Sequence, residues 1–250
     1  MGIARVGRAG SMTNVHATSL GQFWHLVISA EPLPPRILVL ATGLAALILV
    51  GWRRAWPVSR TVVTIAHEGG HALVALATGR RLAGVRVHRS TAGLTVSAGK
   101  PYGPGIVATA AAGYLAPPLL GLGTAALLAA GHLVAALLLS LVLLAGLAVM
   151  VRNAYGILAV LTAAAVVAFV VWRGNSLLQG VFGYAMAWFL LLGGIRPVLE
   201  LQQSRRRGRA ARSDADQLAR LTGVPGGAWV ALFALVASAA LVISALWMVH

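Results

Sequence analysis

Residues 58–78 read VSRTVVTIAHEGGHALVALAT, an apolar run with His67, Glu68 and His71 set into its middle. About 20 mostly apolar residues suffice for a helical membrane span, so the stretch predicts a membrane helix. Ionisable side chains then lie in hydrocarbon, where a charged group costs about 2.5–3.5 kcal/mol on insertion scales and faces a partner or a wet cavity. On a helix His67 and His71 stand one turn apart on one face, so both imidazoles can hold a single metal ion. Glu68 turns toward the open position of that ion, where it can take a proton from water and hand it to a leaving amine. Zinc suits two imidazoles and one carboxylate with water as fourth ligand. The bland alternative is a hydrogen-bonded polar cluster between helices. Three such groups at this spacing need a shared partner, and a divalent cation is the simplest one. Gly69 and Gly70 each lower helix propensity by about 1 kcal/mol relative to alanine, and are read as admitting close approach of another element.

The rest of the chain agrees with a lipid solvent. Of 250 residues 59% are apolar and 10% charged, against about 25% charged in an ordinary soluble domain. Twenty Arg and Lys stand against five Asp and Glu, a net charge of +15. The basic residues lie between the apolar runs, where they fix orientation and meet anionic headgroups; without a soluble basic module, nucleic acid is excluded as a partner. There is no cysteine, hence no disulfide framework and no thiolate ligand.

The expected fold class is an all-α polytopic membrane protein with a short β-hairpin near the metal site. Seven spans are expected, at about Ile37–Trp52, Val58–Thr78, Ile106–Ala130, Leu133–Val151, Ala154–Trp172, Leu177–Ile195 and Trp229–Val249. The third is interrupted by Gly113, Pro117 and Pro118 and is read as kinked or re-entrant. Residues 1–36 form an N-terminal cytoplasmic or interfacial segment, broken by Gln22, His25 and Glu31 and unlike a cleaved signal peptide, and residues 37–250 form one membrane-embedded domain. Alternation in Val85–Val96 around Ser90-Thr91-Ala92-Gly93 reads as the hairpin, with an ordinary surface loop as the alternative on pattern alone. Ser213–Leu221, with a serine start signal and Gly223 and Pro225 beyond its end, predicts a short helix. Seven spans place the N-terminal segment, the 80–103 loop, Arg152 and the 196–225 loop on one side with about sixteen of the twenty basic residues, leaving Arg53, Arg54, Arg60 and Arg173 opposite. The positive-inside rule then makes the N-terminus and both long loops cytoplasmic.

The third ligand is sought by elimination. Glu31 precedes the first span, Glu68 is the base, and Glu200 lies at a span end beside Arg196. Asp214 and Asp216 sit on the side to which the second span delivers His71, although acidic residues at a helix start also serve as plain dipole partners facing water. His88 and His132 are fallback ligands; His16, His25 and His250 are read as interfacial. Tyr114, Asn153 and Asn175 are donors for a tetrahedral oxyanion, unranked by sequence.

Several stretches together resemble the site-2-protease-like intramembrane zinc metalloproteases, and more closely their bacterial Peptidase M50B-like branch. They are His67-Glu68-Gly69-Gly70-His71-Ala72-Leu73 with Thr78-Gly79-Arg80, then Ala92-Gly93-Leu94-Thr95, Ala112-Gly113-Tyr114-Leu115 and Arg196-Pro197-Val198-Leu199. Ser213-Asp214-Ala215, Leu218-Ala219 and Leu221-Thr222-Gly223 complete the set, which covers about residues 60 to 235. The resemblance implies zinc held by His67, His71 and an aspartate, with Glu68 as base, and its Ser-Asp-Ala element selects Asp214 over Asp216. It also implies a bacterial plasma membrane and a membrane protein or peptide as substrate. Better-studied site-2 proteases carry the third ligand in a Leu-Asp-Gly-type motif within a span and have PDZ-type domains; neither occurs here. The competing reading is a non-proteolytic metal-binding membrane scaffold or a transporter, which would show paired broken helices or internal symmetry; the sequence has one Gly/Pro-broken span and no convincing internal repeat.

Overall fold

The computed structural model describes residues 21, 27–88, 94–208 and 213–249. Two helices come first, α1 (Arg36–Gly51) and α2 (Trp56–Ala77), joined by a four-residue turn. The antiparallel strands β1 (Arg81–Arg86) and β2 (Leu94–Ala98) follow, pairing Val85 with Thr95 and Arg86 with Leu94. The 90–93 turn foreseen from sequence lies outside the described residues, as do His16, His25 and His250. Then come α3 (Pro104–Ala129), α4 (Leu133–Met150), α5 (Ala154–Arg173), α6 (Ser176–Arg206), α7 (Asp214–Thr222) and α8 (Gly226–Val249).

Local chemistry sets these boundaries. Asn175 accepts from Leu178 N–H at 2.9 Å and starts α6, while Ser213 accepts from Asp216 N–H and starts α7, each satisfying a donor the first turn leaves open. Gly223, at φ +74°, ends α7 in the left-handed conformation that glycine adopts at no steric cost. α3 is one continuous helix through Pro117 and Pro118, not the re-entrant element that was one of the two alternatives foreseen. Both prolines are buried, with Pro118 packed against Gly194 of α6.

Five helices, α3, α4, α5, α6 and α8, are long and apolar enough to cross a membrane by themselves. α1 and α2 pass that test only together, as a pair bent by 106°, which makes six passages if the pair is one; seven separate spans are not shown. α1 has only 16 residues, and Arg60, His67, Glu68 and His71 dilute the hydropathy of α2. Contacts with neighbours give the direction of travel. Glu31 N–H donates to Gly131 O at the α3–α4 turn, so α1 begins at the end of the bundle where α3 finishes. Farther on, Trp188 Nε1 donates to Val39 O at 3.1 Å and Arg196 to Val50 O. α1 therefore runs alongside α6 toward the opposite end. α2 begins there, with Trp56 Nε1 donating to Glu200 at 2.8 Å, and its own far end, Thr78, packs on Gly105 at the start of α3. The pair thus makes one net passage, with α2 lying steeply across it.

Small residues let α2 and α3 meet closely. A Cβ on Gly70 would overlap that of Ala116 and lie 2.8 Å from Ala112 O, the kind of small-residue contact that drives helix association in lipid. Leu40, Leu44, Val142, Leu158, Phe169, Leu235 and Val242 point outward, as lipid-facing residues do. We expect Gly70→Ala to destabilise the bundle by about 1–3 kcal/mol, the usual penalty of overpacking, read as a lower melting temperature in detergent; Gly69→Ala, whose Cβ would stand 3.7 Å from Leu147, should melt like the parent.

Candidate metal centre

His67 and His71 project from one face of α2, and both Nε2 atoms turn toward the same point, 3.1 Å apart. Asp214, the first residue of α7, places Oδ2 3.2 Å from His67 Nε2 and 3.4 Å from His71 Nε2. The three donors form a near-equilateral triangle. Bonds of about 2.0 Å to a tetrahedral ion put neighbouring ligand atoms about 3.3 Å apart, so the triangle has the dimensions of one face of a zinc tetrahedron.

The protonation pattern agrees. His71 Nδ1 lies 2.6 Å from Thr109 O, and a carbonyl can only accept, so Nδ1 carries hydrogen and the neutral ring offers its lone pair at Nε2. A backbone partner on the second nitrogen is the common way of orienting a metal-binding imidazole. Two lone pairs and a carboxylate facing one another in a protein interior call for a cation. Among the described residues these three side chains form the cluster able to hold a metal ion.

Around the triangle α3 supplies a wall with no side chain. A Cβ on Gly113 would fall 2.6 Å from His67 Nε2 and overlap His71 Nε2, so glycine is needed for α3 to pass this close. Next to it, the Tyr114 ring meets His67 edge-on, centroids 4.9 Å apart, and stacks on Phe233 of α8.

Glu68 is 1% exposed, with Oε1 4.0 Å from His67 Nε2. Its other oxygen, Oε2, accepts from Thr95 Oγ1 at 2.6 Å. Thr95 lies on β2 and also reaches Glu68 O at 3.3 Å, so the hairpin fixes the orientation of this carboxylate. β2 has its polar side chains inward, Thr95 and Ser97, while Leu94 and Val96 are exposed. Sequence alternation foresaw the hairpin but not that Thr95 meets Glu68, because a strand's register against a distant helix has no local signal.

The other sequence candidates have separate places. Asp216 turns from the centre to pair with Arg205 and accept from Ser213 Oγ at 2.7 Å. Glu200 joins Trp56, Arg60 and Arg196. His132 stands at the α3–α4 turn, at the other end of the bundle, and His88 follows β1 on the surface. Asn153 is consumed by Val87, whose N–H it accepts at 3.0 Å and whose carbonyl it bonds at 2.7 Å; Asn175 caps α6. Of the three oxyanion-donor candidates only Tyr114 lies against the centre. A cavity of about 260 Å³ between Pro32, Leu38, Leu128, Leu133 and Tyr184 touches none of these site residues.

A family model described as Peptidase M50B-like matches residues 40–244 of the chain. No curated protein and no solved structure matches.

Two aspartates separated by one residue thus have different surroundings, and metal analysis distinguishes them. Asp214→Ala removes a donor and should leave the site short of metal even at saturating zinc, whereas Asp216→Ala keeps all three donors and should still fill at saturating zinc, though with lower affinity once its pair with Arg205 is lost. Equal metal content in the parent and Asp214→Ala removes Asp214 from the ligand set.

Proposed function

The chain belongs to the Peptidase M50B-like family, and from that premise we propose that it is a zinc-dependent intramembrane endopeptidase acting on membrane-embedded or membrane-proximal segments. The observation that carries this is the convergence of two imidazole nitrogens and a carboxylate oxygen beside a second, buried carboxylate. His67, His71 and Asp214 are the proposed ligands and Glu68 the proposed base. A zinc ion held there supplies a Lewis acid that acidifies water and polarises a carbonyl. Glu68 takes the proton of the attacking water and returns it to the amine that leaves. Thr95 holds one oxygen of that carboxylate, so the other stays turned to the reacting side. Tyr114, edge-on to His67, is the proposed oxyanion donor.

A peptide has to be extended for a carbonyl to reach the centre. The outer edge of β1 is occupied by Val151 and Arg152, the latter donating to Val85 O at 2.8 Å. β2 pairs only with β1 among the described strands, so its outer edge is the one we assign to the substrate, by strand addition.

We also propose that the end bearing the centre faces the cytoplasm. With α1 and α2 as one passage, described residues 27–35 and Arg173 lie at the opposite end. Among the described residues that leaves Arg36 and Arg173 there and the other thirteen basic residues on the side of the centre. The bias foreseen from sequence is kept with different members, and on this reading the positive-inside rule puts the entry to α1 outside, against the cytoplasmic N-terminus first expected.

Glu68→Gln should keep its zinc and lose cleavage by about 10²–10⁴-fold, the range for removing a general base, whereas a scaffold or transporter would function unchanged. Absence of any cleavage by zinc-loaded parent protein on membrane-reconstituted peptides would falsify the protease reading. Because the chain lacks cysteine, single cysteines report its topology. A Leu33→Cys variant should react with an impermeant thiol reagent in intact cells and Gln203→Cys only after lysis; the reverse pattern inverts the orientation.

A further inference from the structure

At 1.5 Å per residue the 31 residues of α6 extend about 46 Å, against about 30 Å of hydrocarbon. A helix this long outruns the lipid core, and its last turn carries Arg205 and Arg206, with Arg207 capping it. These three look alike in sequence as an anchor for headgroups, but they are placed differently. Arg206 and Arg207 are exposed, while Arg205 is half-buried. The Arg205 guanidinium pairs with Asp216 and lies flat against Gly226, the first residue of α8, where a Cβ would stand 2.7 Å from Nη2 and 2.9 Å from Nη1. Glycine at this position leaves room for the charge.

Asp216 belongs to the same first turn as Asp214. Ser213 Oγ donates to Asp216 Oδ2 at 2.7 Å and accepts from its N–H at 3.3 Å, so Ser213, Asp214 and Asp216 move as one unit. One side of that unit is gripped by Arg205, and the other presents Oδ2 to the two imidazoles. α7 has nine residues, too few to hold a helix unaided. Ala215 and Leu218 dock it against Val198, Leu201, Val230 and Phe233, but apolar burial is non-directional and leaves the rotation of α7 loosely set. The charge-assisted hydrogen bond from Arg205 Nη1 to Asp216 Oδ1 is directional.

We propose that Arg205 is a positioning residue for the metal centre: by gripping Asp216 against Gly226 it fixes the rotation of the first turn of α7 and keeps Asp214 Oδ2 within reach of His67 and His71. The proposal rests on the reading of those three donors as a metal site. It also makes a prediction opposite in sign to simple electrostatics. Removing a nearby positive charge favours a dication by Coulomb's law, so on charge alone Arg205→Met would bind zinc more tightly. Positioning requires that it bind more weakly.

The experiment uses the purified full chain in detergent with Zn2+ alone as probe, competed by a chelator, and with melting temperature recorded in parallel. Arg205→Met should bind at least about tenfold more weakly, the scale of lost ligand orientation. Arg207→Met, the same charge change on an exposed neighbour, should bind as tightly as the parent or more so. Arg205→Lys keeps the charge but not the planar guanidinium that seats against Gly226 and should weaken in the same direction; it carries the test if the methionine variant does not fold. Parent-like or tighter binding in the Arg205 variants that fold overturns the proposal. Failure of the parent to take up zinc is a different result, sinking the metal reading itself and this inference with it.

Discussion

Two imidazoles, one turn apart on a helix, have to face a carboxylate across a few ångströms, and the surrounding architecture is arranged around that approach. The rings point at α3, so α3 has to present backbone there, and Gly113 does. Between the two histidines on α2, Gly70 lets the same two helices stay close against Ala112 and Ala116. Polar groups set among apolar helices are costly unless each finds a partner. Here they do: His71 has Thr109 O, Glu68 has Thr95, and the Nε2 atoms share Asp214. The site is therefore built as a unit, with no partner that can be removed without stranding another.

Two of those partners come from outside the helical passages. The hairpin follows α2 and bends back so that Thr95 reaches Glu68, and α7 follows the overlong α6 so that Asp214 reaches the imidazoles. Each piece is short and is held by a few directional bonds: Asn153 to Val87 and Arg80 to Ser97 and Lys100 for the hairpin, Arg205 and Ser213 for α7. Short elements with few buried contacts lie at the low-stability end of a fold.

At the end of the bundle where α1 meets α2, the cluster of Trp56, Arg60, Arg196 and Glu200 fixes the 106° bend. Arg196 lies over the Trp56 ring, 4.5 Å from its centroid, and reaches back to Val50 O. This explains a tryptophan and three charged residues where a simple pair of hydrophobic spans would need none. The bend also carries α2 across the bundle, which is what allows His67 and His71 to approach α3 from the side.

Sequence alone determined the lipid solvent, the helical class, the short hairpin and the short helix beginning at Ser213. Each has a local cause: apolar length, alternation, a serine cap, a closing glycine. It also marked His67, Glu68 and His71, because i and i+4 on a helix share a face whatever the fold. Span number was not legible, since hydropathy measures whether a segment tolerates lipid and not the angle at which it lies, and α2 is diluted by the very residues that give it chemistry. Orientation is not fixed by charge counts for a related reason: exchanging three basic residues between the sides leaves the bias at four to one, so the count cannot say on which side α1 begins. The family resemblance favoured Asp214 over Asp216, but local physics left the pair open, because residues two apart on one turn differ little in anything local; only the tertiary structure shows Asp214 facing the imidazoles and Asp216 pairing with Arg205, 11 residues upstream on another helix.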